Sequence, residues 1–183
     1  MTYYGAKELA ESFRTVRKNT IQAAQDIPEE KYSFAPAPNT RTVGKMLTHI
    51  ALGTRFQHRI HGVEKLSSLE KFDFMALFQK LEEEEAKPRN KAAVIELLTK
   101  EGELWASFLD GVSEDFLGEH VIFNPAMTPP SKSRFEMVLS AKEHEMHVRA
   151  QLFLIERMIG IVPHLTRQRQ EMMAQRQAQP TKS

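Results

Sequence analysis

The chain contains no cysteine. Disulfides, thiolate zinc sites and cysteine nucleophiles are therefore excluded, and composition carries no signal about the redox compartment. Neither sign of charge dominates: 25 Lys and Arg stand against 24 Asp and Glu, a formal net charge of +1. No global field draws the protein to nucleic acid or to an anionic membrane. Arg167, Arg169 and Arg176 in the tail are too sparse to argue otherwise. No apolar run approaches the roughly 18 residues of a membrane span. The start, Met1-Thr-Tyr-Tyr-Gly-Ala-Lys-Glu8, lacks the apolar core of a signal peptide. A Gly-rich phosphate loop and a Ser-centred nucleophile elbow are also missing. The expectation is a cytoplasmic enzyme or binding protein, with neither nucleic acid nor membrane as partner.

What is present suits one domain with a sizeable core: 183 residues, 41% hydrophobic and 27% charged. Leu9, Phe13, Val16, Thr20, Ala24 and Ile27 recur at three- and four-residue steps, which predicts an amphipathic helix over 5–26, ended by Pro28. Pro28, Pro36, Pro38 and Asn39 mark a connection over 28–41. Thr42 can cap a second helix running to about His61, with Gly62 as C-cap. Phe72, Met75 and Phe78 suggest a short helix, followed by a solvated run Glu82–Glu85 and a break at Pro88. Val94, Leu98, Glu101, Trp105, Phe108 and Val112 predict a third long helix. Residues 113–134 read as irregular, and no segment reads as a strand. Ser131 or Ser133 can cap a fourth long helix ending at Gly160. The expected fold is all-α: a four-helix bundle with short accessory helices, over 1–165, whose long connections permit crossovers. Residues 166–183 read as a Gln/Arg-rich tail, disordered at its end.

The histidines carry the chemistry. In the fourth helix Met137, Ala141, His144, Val148, Leu152, Ile155 and Ile159 follow the core period, so His144 sits inside the apolar stripe. His147 lies about 60° to one side, with Ser140, Gln151 and Met158. Met46, His49, Gly53, Phe56 and Ile60 form a similar stripe in the second helix. One such histidine alone reads as a satisfied core residue. Two helices each presenting one, with His147 alongside, read equally as a shared metal site, because imidazoles from different helices build such sites in bundle cores. His58, His61, His120 and His164 read as surface or local-structure residues. Glu101 falls on the apolar face of the third helix. It is either paired with an arginine or at an exposed edge, or it is an acceptor for a ligand histidine or a general base.

Three segments carry a resemblance. Phe34-Ala-Pro-Ala-Pro-Asn-Thr-Arg-Thr-Val-Gly-Lys-Met-Leu-Thr-His-Ile50 runs from a Pro-rich loop into a histidine. Ser133-Arg-Phe-Glu-Met-Val-Leu-Ser-Ala-Lys-Glu-His144 leads into the last helix. His144-Glu-Met-His-Val-Arg-Ala-Gln-Leu152 is similar to a His-Glu-x-His-His-Arg-Gly-Gln-Leu motif. In this order they resemble the DinB-like family, also called the DinB/YfiT-like metalloenzymes, over roughly residues 5–160. The resemblance implies a bundle of down-up-up-down type, often dimeric, and a divalent metal, nickel or zinc, held by three histidines. His49 and His144 carry over; the third ligand position is Val148, which cannot bind metal. Either His147 substitutes, with Glu101 or water completing the sphere, or the site is degenerate.

Two functions follow as expectations. One is a metal-dependent enzyme, a transferase or hydrolase acting on a small molecule such as a low-molecular-weight thiol. In it His49 and His144 are ligands, His147 a substitute ligand or proton shuttle, and Glu101 or Gln151 an orienting group. The other is a non-catalytic stress-response or small-molecule-binding module, its pocket lined by Val148, Met46, Phe56 and Trp105. A homodimer is expected in both, from the resemblance and from surplus apolar residues Phe72, Phe74, Phe78 and Phe153.

Overall fold

The structure, a computed structural model, describes residues 4–178. Four long helices form where the apolar period predicts them: α1 (Ala6–Asp26), α2 (Val43–His58), α4 (Lys91–Asp110) and α6 (Arg134–Met158). Side chains satisfy the free N–H groups at their starts. Thr42 accepts from the Lys45 N–H, Asn90 from Ala93 and Ser133 from Glu136. Two shorter helices complete the middle of the chain: α3 (Phe74–Ala86), capped by Asp73, and α5 (Glu114–Gly118), capped by Ser113. After α6, Gly160 takes a φ of +85°, a left-handed conformation that costs glycine nothing.

The long helices form a closed square in which α1 packs on α4, α4 on α2, α2 on α6 and α6 on α1. Helices consecutive in sequence, α1 and α2, thus sit on a diagonal, and the loop between them crosses the end of the bundle. Lys91 at the start of α4 donates to the Gln25 and Ile27 carbonyls at the end of α1, so those two helices are antiparallel. His49 meets His144 and Gln57 meets Ser140, which makes α2 and α6 antiparallel as well. Arg17 of α1 reaches both the Leu98 and Ile50 carbonyls, and Arg55 reaches Glu101, so α2 and α4 run together. The result is an up-down-down-up bundle. Its core has one apolar cluster around Leu47, Ile50, Leu98, Leu152 and Ile155, and another around Phe13, Trp105, Leu109 and Val138. Each such side chain, fully buried, contributes about 1.5–3 kcal/mol.

Several expectations are corrected. The second helix does not stop at a Gly62 cap; it continues as a π-helical turn over Arg59–Val63. The acidic run is the last part of α3, and only Glu82 and Glu83 of it are exposed. Residues 113–134 hold α5 and a two-stranded antiparallel pair, β1 (His120–Ile122) with β2 (Ser131–Ser133). Three-residue strands are too short to show an alternating pattern. The Gln/Arg-rich segment is helical as α7 (His164–Ala178), and its first turn docks on α1 through Arg167–Asp26, 2.6 Å. The expected disorder at the tail's end falls on 179–183, outside the described residues. Phe72 meets Phe74 edge to face, Phe74 stacks on Phe56, and Phe153 packs on His164, so these phenylalanines are absorbed within the chain. Phe78 remains exposed.

Candidate functional site

His49 and His144 meet across the α2–α6 seam, Nε2 to Nε2 at 3.1 Å, with their rings 72° apart. Gly53, one turn beyond His49, leaves the room: a Cβ there would stand 3.3 Å from His144 Cδ2. His49 Nδ1 lies 3.0 Å from Glu85 of α3, whose other oxygen accepts from Arg41 Nε at 2.6 Å. The carboxylate thereby fixes the His49 tautomer, because Nδ1 must carry its proton to donate. Nε2 of a neutral His49 then presents a lone pair toward His144. Partial loss of hydration, then the neighbouring His49, His147 and Arg41, lower the His144 pKa below its ordinary value. At Glu85 burial pushes the carboxyl up, but the hydrogen bonds from His49 and Arg41 outweigh it and the net shift is down. Glu85 is therefore a carboxylate at neutral pH.

The pair stands between two depressions. One, of about 390 Å³, is walled by Leu52, Phe56, Phe78 and Ala141, with Gln57 and Ser140 as polar lining. The other is a wider groove of about 800 Å³ that includes Met46, His147, Val148, Gln151 and Leu154.

The residues expected at the site are divided among these places. His49, His144 and Phe56 come together at the smaller cavity, with His49 half-buried and His144 exposed rather than set within the apolar core. His147 does not turn toward the pair: it is exposed on the groove side, where the Gln151 amide donates to its Nε2 at 3.2 Å. Val148 and Met46 line the groove and belong to the apolar core, 6% and 5% exposed. Glu101 is buried, 5% exposed, and its partner is Arg55 at 2.6 Å rather than a ligand histidine. Trp105 lies in the other core cluster, stacked on Phe108 and edge-on to His58, and does not line either depression. His61 and His164 are buried, not superficial. The sequence reading missed Glu85, Arg41, Gln57 and Ser140. A signal for Glu85 exists in retrospect: Phe78, Leu81 and Glu85 share one face of α3, the face turned to the cavity.

Donor chemistry and spacing fit a metal at two positions. Two nitrogens bound at about 2.0–2.1 Å to a tetrahedral ion stand roughly 3.3 Å apart. The observed 3.1 Å is close to that value, and Glu85 orients His49 as an outer carboxylate orients a ligand imidazole. The third position does not fit, since Val148 offers no donor and His147 faces away. Among the described residues no group of three or more His, Asp or Glu side chains could hold a metal. No helix there is long and apolar enough to cross a membrane.

The arrangement of the four long helices has known counterparts. The model of the DinB superfamily matches residues 12–152, and the chain belongs to that superfamily. A DinB-like protein from Bacillus subtilis superposes with a TM-score of 0.62 at 18% identity, over 84% of this chain and 92% of that one. One from Bacillus cereus gives 0.65 at 13% identity, over 88% and 97%. At these identities the likeness is one of fold. No curated protein compared with the chain matches it.

Proposed function

We propose that this chain is a small-molecule-binding member of the superfamily, in which the metal centre is reduced to the His49–His144 pair and that pair is the polar contact of an apolar pocket. The single observation that carries this reading is the fate of the third ligand position. Val148 is built into the core with Leu152 and Ile155, and the adjacent His147 is held by Gln151 on the other side. A cavity of about 390 Å³ suits a ligand of about ten heavy atoms, with Phe56 and Phe78 against its apolar part. The test is a fragment titration followed by histidine ring resonances. Fragments that shift His49 and His144, and that lose affinity in His144→Ala, support the reading; fragments that bind without touching either ring reject it.

A second reading is favoured by the 3.1 Å separation and by Glu85. Here the protein is a metal-dependent transferase or hydrolase with two protein donors for nickel or zinc, the substrate or water filling the remaining positions. The metal's Lewis acidity would favour the thiolate of a low-molecular-weight thiol. Metal analysis of untagged protein separates the two readings: stoichiometric nickel or zinc supports the second, and none after incubation with either supports the first. A homodimer belongs to both proposals, carried by the exposed apolar residues Leu154, Met158, Val162 and Leu165 at the α6–α7 end. A monomer in light scattering at micromolar concentration rejects it.

A further inference from the structure

A second polar pair bridges α2 and α6 beyond the histidines. Gln57 lies two turns beyond His49 on α2, and Ser140 one turn before His144 on α6, about 5.4 Å along each helix per turn. Both line the smaller cavity. Behind them runs a buried chain of hydrogen bonds. Arg134, 2% exposed, is held through Nε by Glu119 at 2.9 Å and donates through Nη1 to His61 Nδ1 at 3.1 Å. His61, with no exposure at all, contacts Gln57 Oε1 through Nε2 at 3.0 Å. The Gln57 amide nitrogen donates to Ser140 Oγ at 2.9 Å, and Ser140 donates to the Met137 carbonyl at 2.6 Å.

The direction of every bond in this chain is determined at its charged end. Arginine can only donate, so His61 Nδ1 must accept. A neutral His61 then carries its proton on Nε2 and donates to the Gln57 oxygen. Burial first, and Arg134 second, push the His61 pKa down to about 4, so neutrality holds through the physiological range. With its oxygen committed to His61, Gln57 is oriented with its NH₂ toward Ser140 and the cavity, which removes the ambiguity usual for an amide. One N–H of Gln57 is used on Ser140, and the second has no partner among the described residues. Ser140 Oγ has spent its proton and one lone pair, and retains the other. The π-helical turn Arg59–Val63 is what seats His61 inside the bundle behind Gln57, and such turns concentrate at functional positions.

We propose that Gln57 and Ser140 are the specificity-determining contacts of this pocket and that its ligand is a small molecule bearing a carboxamide group. The free Gln57 N–H meets the ligand carbonyl and the free Ser140 lone pair meets the ligand N–H. The amide lies one to two helical turns from whatever group the histidine pair contacts, with an apolar spacer between them along Phe56. This inference rests on the proposed small-molecule pocket. His61 and Arg134 are positioning residues, since they act only through Gln57.

Two isosteric probes test it: 4-(hydroxymethyl)benzamide and 4-isopropylbenzyl alcohol, titrated into the full chain by ligand-observed NMR. The wild type should bind the amide at least about tenfold more tightly, the value of one well-placed buried hydrogen bond. Gln57→Leu should abolish that preference, and Ser140→Ala should reduce it several-fold. His144→Ala should weaken both probes equally. Equal affinity of the two probes for the wild type overturns the proposal, as does an amide preference that survives in Gln57→Leu. If Gln57→Leu loses its helical circular dichroism, Ser140→Ala decides, and an unchanged preference there overturns it. A Gln57-dependent preference with no effect of His144→Ala upholds this assignment and rejects the histidine reading instead. Binding of neither probe to the wild type rejects both.

Discussion

Arg17 of α1 and Glu145 of α6 form a forked ion pair in the centre of the bundle. Nε stands 3.0 Å from both carboxylate oxygens and Nη2 stands 2.9 Å from one of them, and the two side chains are 5% and 2% exposed. Nη1 donates to the Leu98 carbonyl, Nη2 donates also to the Ile50 carbonyl, and Thr20 donates to the carboxylate at 2.6 Å. One arginine therefore joins all four long helices at a single level. Removing one partner leaves a buried charge uncompensated, which costs far more than the pair itself contributes. Glu145→Ala is expected to lose about 3–5 kcal/mol in urea unfolding. Replacing both, Arg17→Met with Glu145→Leu, should recover most of it. A loss under about 1 kcal/mol for the single variant would mean that water reaches the pair.

Gly102 on α4 depends on the same arginine. A Cβ there would fall 2.7 Å from Arg17 Cγ and 3.2 Å from its Cδ. Alanine in a helix interior ordinarily gains about 1 kcal/mol over glycine. Here Arg17 is pinned by its hydrogen bonds and cannot withdraw, so overpacking of about 1–3 kcal/mol should win. Gly102→Ala is expected to melt below the wild type. A higher melting temperature would show that the arginine stem yields freely.

Val148→His restores a donor one turn from His144. Affinity for zinc or nickel should rise by at least tenfold in a calorimetric titration, because a third imidazole closes the set that the pair leaves incomplete. In that background Glu85→Gln should lower affinity by roughly 10–100-fold, since Glu85 orients the His49 ring. If Val148→His stays folded with unchanged affinity, the pair is no longer arranged to share an ion.

Glu156 predicts a pH dependence. It is fully buried, and neither carboxylate oxygen has a hydrogen-bond partner among the described residues. Burial, then the negative charge of Asp26, push its pKa up to about 7, against the opposing pull of Arg167 and Arg157. The raised value means that the folded state holds its proton longer than the unfolded chain does. Its contribution is complete below the unfolded value of 4.5 and is lost as pH rises through about 7. His58, His61, His144 and His164, all lowered chiefly by burial, act in the opposite sense, losing stability as pH falls. The measurement is therefore the difference between wild type and Glu156→Gln. The variant should gain on the order of 2–3 kcal/mol relative to the wild type between pH 5 and pH 8. A difference independent of pH would mean that Glu156 ionises in the folded state as readily as in the unfolded chain, with water or a cation reaching the carboxylate.

The reach of sequence reading here follows from the range of the forces involved. The positions of α1, α2, α4 and α6 and their Thr42 and Ser133 caps follow from a 3.6-residue period and from local capping chemistry; the same period overstates the burial of His144, which lies exposed at the α2–α6 seam. That Val148 stands at a ligand position is what the resemblance to the family implies, not something the spacing shows. The arrangement of those helices into a square with α1 and α2 on a diagonal is set by which apolar stripes pack together, and no local pattern records that. Glu85 is 36 residues from His49, and although it shares a face of α3 with Phe78 and Leu81, nothing local tells that this face meets α2 at His49. His61 shows the same limit. It falls off the apolar stripe of a regular helix, and only the π-helical turn rotates it inward, to where Arg134 and Gln57 satisfy its ring. Glu101 was legible as buried from its stripe, but its partner depended on α2 and α4 running side by side, which brings the Arg55 guanidinium within 2.6 Å. Burying polar groups at these places is favourable only once distant segments have supplied their partners, so their roles are decided by packing rather than by spacing along the chain.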